Sequence, residues 1–220
     1  MEESANLSKI AYENILEMIV EGKIKLGSLV SQNAICRLLP MSRTPIREAL
    51  FALESHGILE KKNTKYFVSY LSKEDIIGLY EVRKILEGNS ARMCCININS
   101  QGRSKIKSLI RNMKVVSESE ESDAEEVAKM NGKFHETIAN LAGNIFLADF
   151  IKEILIKLKI VRISLLVSQD RREEEFKEHE EIANLILNKD PLGAQLAMER
   201  HEQAVLDFVE MTTFKKLFIE

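Results

Sequence analysis

Apolar residues recur every three or four positions along most of the chain, and the pattern predicts helices throughout with one break. Ile10, Ile15, Met18 and Ile19 share a helical face that Gly22 closes. GKIKLGS, with two glycines, reads as a connection. Ser31 stands before a short helix over Gln32–Leu39, which Pro40 stops. A third helix opens at Ser42-Arg43-Thr44-Pro45. Ser42 or Thr44 can cap it, and Pro45 sits in the first turn, where its missing N–H costs nothing. Ile46, Leu50 and Leu53 give this helix its apolar face, and Gly57 ends it. The period then changes. ILEKKNTKYFVSY is two β-prone runs around Asn63-Thr64-Lys65, a hairpin by pattern. Helix, helix, tight turn, helix and hairpin make the outline of a winged helix-turn-helix, expected as a DNA-binding domain over residues 1–70.

From residue 71 to the end the helical period returns and stays. Six patterns follow, at about 73–97, 101–118, 123–142, 145–168, 172–188 and 192–212, with Gly143 and Asp190-Pro191 between neighbours. One proline and no strand signal of weight remain there, so residues 71–220 are expected to form an antiparallel all-α bundle. The fold class is therefore mainly α. The acidic run at 117–126 reads as a solvated loop and a first helical turn.

Composition narrows the possibilities. The chain has 220 residues, enough for two small domains, and 45% hydrophobic residues exclude a disordered chain. A net charge of −3 argues against bulk polyanion binding, although residues 1–70 hold nine Lys/Arg against eight Asp/Glu. Cys94 and Cys95 are neighbours and Cys36 is distant, so reduced thiols are expected. The acidic start is unlike a signal peptide, and Lys157, Lys159 and Arg162 interrupt the most apolar stretch, so a cytoplasmic protein without a membrane span is expected.

Two groups of residues carry candidate chemistry. The first is the tip of the third helix. Arg43 and Arg47 are one turn apart, and arginine grips guanine O6 and N7 with two bonds in the major groove. Ser42 and Thr44 suit phosphate oxygens and serve equally as caps, and the arginines could instead pair with Glu48 or other surface acids. The second group lies inside the bundle. Asn131 and His135 share a stripe with Val127, Phe134 and Ile138. His179 and His201 stand about eleven and ten residues either side of the turn near Asp190-Pro191, so an antiparallel hairpin brings them level. Three inward imidazoles favour a borderline divalent ion, zinc or nickel, over three satisfied core residues. His56, near a helix end, reads as structural. Arg83 and Arg162 also fall on apolar stripes. A buried charge needs a partner, either a glutamate such as Glu87 or a bound carboxylate.

The stretch from AYENILEMIV to SRTPIREALFALESHGILEK resembles the DNA-binding domain of the GntR family of bacterial transcription regulators, with SRTPIREAL followed by GIL as the most specific part. The resemblance implies that Arg43, Thr44 and Arg47 meet operator DNA, with Asn33 and Ser42 as phosphate or base contacts and Lys65 as the wing's contact. Pro40 and the wing tip Asn63-Thr64-Lys65 depart from the family pattern, which has glycines there. FHETIANLAGN and EHEEIANLI with MERH resemble the FCD-type effector domain of the FadR branch. That implies a metal held by His135, His179, His201 and the residue at 131, where this chain has Asn in place of the family's Asp. It also implies a small organic-acid effector near Arg83 and Arg162, a homodimer on paired half-sites, and repression of a metabolic operon. The effector would shift the bundle, and the linker near residues 70–73 would pass the shift to the DNA-binding domains. Two other functions remain on the page. A metal-dependent hydrolase could use three histidines with an open position, although no H-E-x-x-H, G-x-S-x-G or P-loop is present. A helical adaptor would use the histidines only as core hydrogen-bonding groups.

Overall fold

The computed structural model describes residues 2–20, 23–25, 27–119, 122, 124–158, 161–162 and 169–213. By its contacts the chain divides into two compact units, Met1–Ser72 and Lys73–Glu220.

The first unit is a winged helix-turn-helix. Its order is α1 (Glu2–Val20), β1 (Leu29–Val30), α2 (Gln32–Leu38), α3 (Arg43–Ser55), β2 (Leu59–Lys62) and β3 (Lys65–Val68). Ala11, Ile15, Leu16 and Ile19 of α1 are buried together with Ile35 of α2 and Ile46, Ala49, Leu50 and Leu53 of α3. The α3 stripe is the one the periodicity marks, whereas on α1 only Ile15 and Ile19 of the expected face are buried: Ile10 is exposed, Met18 is half-buried, and Ala11 and Leu16 turn inward instead. Truncating a large buried side chain here typically costs about 2–5 kcal/mol. Gly57 follows α3 with φ of +70°, a left-handed backbone that lets the chain leave the helix for β2. The hairpin turns over Asn63-Thr64, between the paired Lys62 and Lys65, and Asn63 takes φ of +58°, which asparagine tolerates better than most residues. The sheet has three antiparallel strands in the order β1-β3-β2, with Leu29 opposite Phe67 and Val30 opposite Tyr66. A two-residue strand is too short for alternation to reveal, so β1 has no signature in the pattern. Ser31 and Ser42 occupy the N-cap positions of α2 and α3, but neither side chain bonds the helix amides. Ser42 is thus free of the capping task expected of it.

The second unit is all-helical among its described residues. Its order is α4 (Lys73–Asn97), α5 (Ser100–Glu118), α6 (Ala124–Leu141), α7 (Ile145–Lys157), α8 (Gln169–Leu187) and α9 (Pro191–Phe208), closed by a π-helical turn at Val209–Thr213. Side chains of Asn99, Asn144 and Asp190 cap α5, α7 and α9. The pattern at 145–168 is helical over Ile145–Lys157 and again at 161–162, and its remaining positions after Leu158 lie outside the described residues. α7 stops at Lys157 with Leu158 as its C-cap, and the Leu165 and Leu166 part of the Arg162 stripe lies outside the described residues. α8 begins at Gln169, a turn before the expected start. Phe134, Ile138, Ile182, Ile186, Ala194 and Met198 join Ala91, Ile106 and Leu109 in one core shared by α4, α5, α6, α8 and α9. α4 and α9 pack closely: a Cβ on Gly88 would stand 2.7 Å from Cγ of Glu199, so glycine is what allows that approach.

Candidate metal centre and nucleic-acid interface

Helices α6, α8 and α9 each send one imidazole into the same interior point. His135, His179 and His201 are 1%, 0% and 2% exposed. Their ring centroids are 5.1 Å apart for His135 and His179, 5.3 Å for His135 and His201, and 4.5 Å for His179 and His201. His179 Nε2 is 3.2 Å from His135 Nε2. Each outer histidine is oriented by a carboxylate. His135 Nδ1–H donates to Glu87 Oε2, and His201 Nδ1–H donates to Glu178 Oε2 at 2.6 Å. A carboxylate accepts only, so Nδ1 carries the proton and Nε2 turns a lone pair inward. This is the outer support that metal-bound histidines have. His201 Nε2 and His179 Nδ1 have no hydrogen-bond partner among the described residues.

Burial, with the charges of Arg83 and His201 added, holds His135 well below the ordinary imidazole pKa. Burial and the neighbouring His201 and His135 do the same to His179. Burial would lower His201 too, but its bond to Glu178 and the charge of Glu202 outweigh that and raise it. Neutral imidazoles are the form a metal takes. Three nitrogen donors within reach of one another, two of them backed by carboxylates, fit a divalent metal ion. Asn131 is buried one turn before His135 on α6.

The two inward arginines have carboxylate neighbours. Arg83 Nε donates to Glu87 Oε1 at 2.5 Å, and Arg83 Nη1 lies 3.0 Å from Glu202 Oε2. The pairing with Glu87, one of the two alternatives open in the sequence, is present. Arg83 Nη2 has no partner among the described residues. Arg162 Nη2 makes a long bond of 3.4 Å to the Ala128 carbonyl oxygen. Both guanidinium groups therefore retain donor capacity beside the histidines. Glu202 and Glu178 are site residues the sequence reading passed over. Glu202 was recoverable, since it falls on the buried α9 stripe of Ala194, Ala197, Met198, His201, Val205 and Leu206. Burial pushes its carboxyl up to about 7, with Arg83 opposing and Glu87 adding to the rise.

In the first unit, α3 buries Pro45, Ile46, Ala49, Leu50 and Leu53 and exposes Arg43, Thr44, Arg47, Glu48 and Phe51. Arg43, Arg47 and Phe51 follow at steps of four, so they stand on one face. Among the described residues neither guanidinium has a hydrogen bond or ion pair, so pairing with Glu48 is absent. Asn33, Ser42 and Lys65 are exposed as well. Arg47, Glu48 and Phe51 line a groove of about 350 Å³ with Lys61 and Tyr66 of the wing. Phe51 is 64% exposed, an apolar side chain that the four-residue step places on the same face as Arg43 and Arg47. His56 closes α3 and hydrogen-bonds Tyr12 of α1 through Nδ1 at 3.0 Å, the structural part expected of it.

Comparison with known proteins agrees across both units. Residues 7–65 match the model for bacterial regulatory proteins of the gntR family, and residues 78–204 match the FCD domain. The gluconate operon transcriptional repressor of Bacillus subtilis is 34% identical over 131 residues, covering 59% of this chain and 52% of that protein. The Glc operon transcriptional activator of Escherichia coli is 24% identical over 93% of this chain and 89% of its own length. The solved structure of E. coli McbR/YncC superposes with a TM-score of 0.79 at 18% identity, covering 94% of this chain and 98% of that one.

Proposed function

Because the chain belongs to the gntR family of bacterial regulatory proteins and carries an FCD domain, it is a DNA-binding transcription regulator with a ligand-binding domain and not an enzyme, and we propose how it reads and senses. The α3 tip enters the major groove, where Arg43 and Arg47 grip base edges and Ser42, Thr44 and Asn33 hold phosphates. Lys65 follows the backbone at the wing. The observation that supports this is the pair of guanidinium groups, one turn apart at an exposed helix start, that have no partner among the described residues. In the bundle, His135, His179 and His201 hold a zinc or nickel ion, with Asn131 beside them. A small organic acid binds there with Arg83 and Arg162 as its anion partners. The ion supplies a positive, polarising centre for that carboxylate when bound.

The regulator works in the cytoplasm as a homodimer, since one recognition helix makes too few base contacts for tight specific binding. Among the described residues no helix is long and apolar enough to cross a membrane. Repression is the proposed sign, after the gluconate repressor; the activator among the relatives marks the other outcome. An effector controls operator binding only through different affinities for two conformations. None of the comparisons supports the hydrolase alternative. The test is a gel-shift titration with the DNA upstream of the chain's own gene. Saturable binding whose log affinity falls linearly with log salt is expected, and equal binding to unrelated DNA would overturn the reading.

A further inference from the structure

Phe51 is the apolar member of a face otherwise suited to a polyanion. It stands 64% exposed on α3, four residues after Arg47 and eight after Arg43, while Pro45, Ile46, Ala49, Leu50 and Leu53 fill the buried side. Steps of four put the three side chains in one row. An exposed phenylalanine forgoes the burial that makes a large apolar side chain stabilising, so the folded unit gains little from it. The ring borders the groove of about 350 Å³ with Arg47, Glu48, Lys61 and Tyr66. Lys61 is exposed, its Nζ 5.6 Å from the centre of the Tyr66 ring. The Glu48 carboxylate is drawn toward α1 by the Ser8 hydroxyl, which donates to it.

The charge on this face chooses the occupant. A second copy docked through the same face would set Arg43, Arg47 and Lys61 against like charges, whereas a duplex answers them with phosphates. Within the major groove a phenyl ring has one apolar counterpart on the base edges, the C5-methyl of thymine; guanine, adenine and cytosine present polar groups there. A helix rises about 1.5 Å per residue, so Phe51 is about 6 Å beyond Arg47, close to two base steps of about 3.4 Å each. A ring so placed reaches a base that neither arginine reads.

We propose that Phe51 reads a thymine: its ring packs on the C5-methyl of one thymine in each operator half-site, about two base steps from the base pair that Arg47 holds. The inference rests on the DNA reading above and deepens it. The arginines select by hydrogen bonds, and Phe51 adds selection by apolar contact to the same helix.

The test is a gel-shift titration of the full-length chain on the DNA upstream of its own gene, narrowed to the segment protected in footprinting. Each thymine is replaced in turn by deoxyuridine, which lacks only the C5-methyl. The wild type should weaken about fourfold at one thymine of the half-site, the value of one methyl group removed from water. Phe51→Ala should bind the all-thymine duplex less tightly and lose that fourfold discrimination, while Phe51→Leu, still apolar, should keep part of it. Should Phe51→Ala fail to fold, Phe51→Gln carries the same comparison. A half-site in which no thymine methyl matters to the wild type overturns the proposal. So does a Phe51→Ala chain that discriminates at the same thymine as strongly as the wild type. Full DNA affinity in Phe51→Ala with loss of the dimer on a sizing column assigns the ring to a protein contact and overturns it too. In each of these cases, preference for the operator over unrelated DNA leaves the regulator reading standing. Equal wild-type binding to both removes that reading and the proposal together.

Discussion

His179 Nε2 on α8 lies 3.2 Å from His135 Nε2 on α6, a separation at which the two nitrogens cannot both carry a proton. Either one donates to the other, or both turn lone pairs toward a cation. The Glu87 carboxylate takes the His135 Nδ1 proton, so His135 Nε2 is an acceptor that either receives a hydrogen bond from His179 Nε2 or turns its lone pair toward a cation. In the second case zinc at about one hundred times its dissociation constant adds roughly 2.7 kcal/mol to folding. Thermal melts should show a rise in Tm that a chelator reverses and that His179→Ala abolishes. An equal rise in the variant would place the ion elsewhere.

The exposed face of α3 makes a second prediction. Arg43→Ala and Arg47→Ala should each weaken binding to the specific operator by about 1–3 kcal/mol and relax its sequence preference. Lys65→Ala should weaken all sequences alike and reduce the salt slope by about one. Gel-shift titrations on specific and scrambled duplexes separate the two behaviours. An Arg47 variant that loses equally on both duplexes would reduce that residue to a phosphate contact.

Much of this was legible in the chain. The spacing of Ile46, Leu50 and Leu53 fixes which side of α3 is buried, and with it the exposure of Arg43 and Arg47. The turn at Asp190-Pro191 sets His179 and His201 level, because rise per residue is a property of the helix alone. What the sequence withheld depends on rotation and neighbours. Glu178 adjoins His179 and reads as solvent face, yet its carboxylate bonds His201 across the helix pair. Glu202, by contrast, was recoverable, because the buried α9 stripe it shares outweighs the surface reading its charge invites. Phe51 lies off the Ile46, Leu50 and Leu53 stripe, and its exposure among the polar groups of α3 has no composition signal.

Arg83 and Glu87 are both 1% exposed, so removing one partner leaves an uncompensated charge inside the bundle. Arg83→Ala should cost about 3–5 kcal/mol in urea denaturation, near the most a single substitution removes. A cost below about 1 kcal/mol would mean that water reaches the pair.

Arg162 offers a route to the effector that disturbs less charge. Its sole hydrogen bond among the described residues is the 3.4 Å contact to the Ala128 carbonyl. Calorimetric titration of small organic acids into zinc-loaded protein should give binding that weakens about tenfold in Arg162→Gln, the loss of one charge-assisted bond. Unchanged affinity would take Arg162 out of the site.

The thiols report on folding in every variant. Burial pushes Cys94 up to about 12 and raises Cys95, while Cys36 is half-buried. Thiols held protonated react slowly, so a thiol reagent at pH 8 should label one cysteine per native chain and all three after denaturation. Three labelled cysteines in a native variant would mark a bundle that has opened.

The central claim is that the sensor half is built around a metal ion held by three imidazoles. Its most direct test is the zinc content of the full-length chain after loading and desalting, measured by elemental analysis beside His135→Ala, His179→Ala and His201→Ala. One zinc per wild-type chain and almost none in the three variants is the expected result. Zinc absent from the wild type, or retained by the variants, would contradict it.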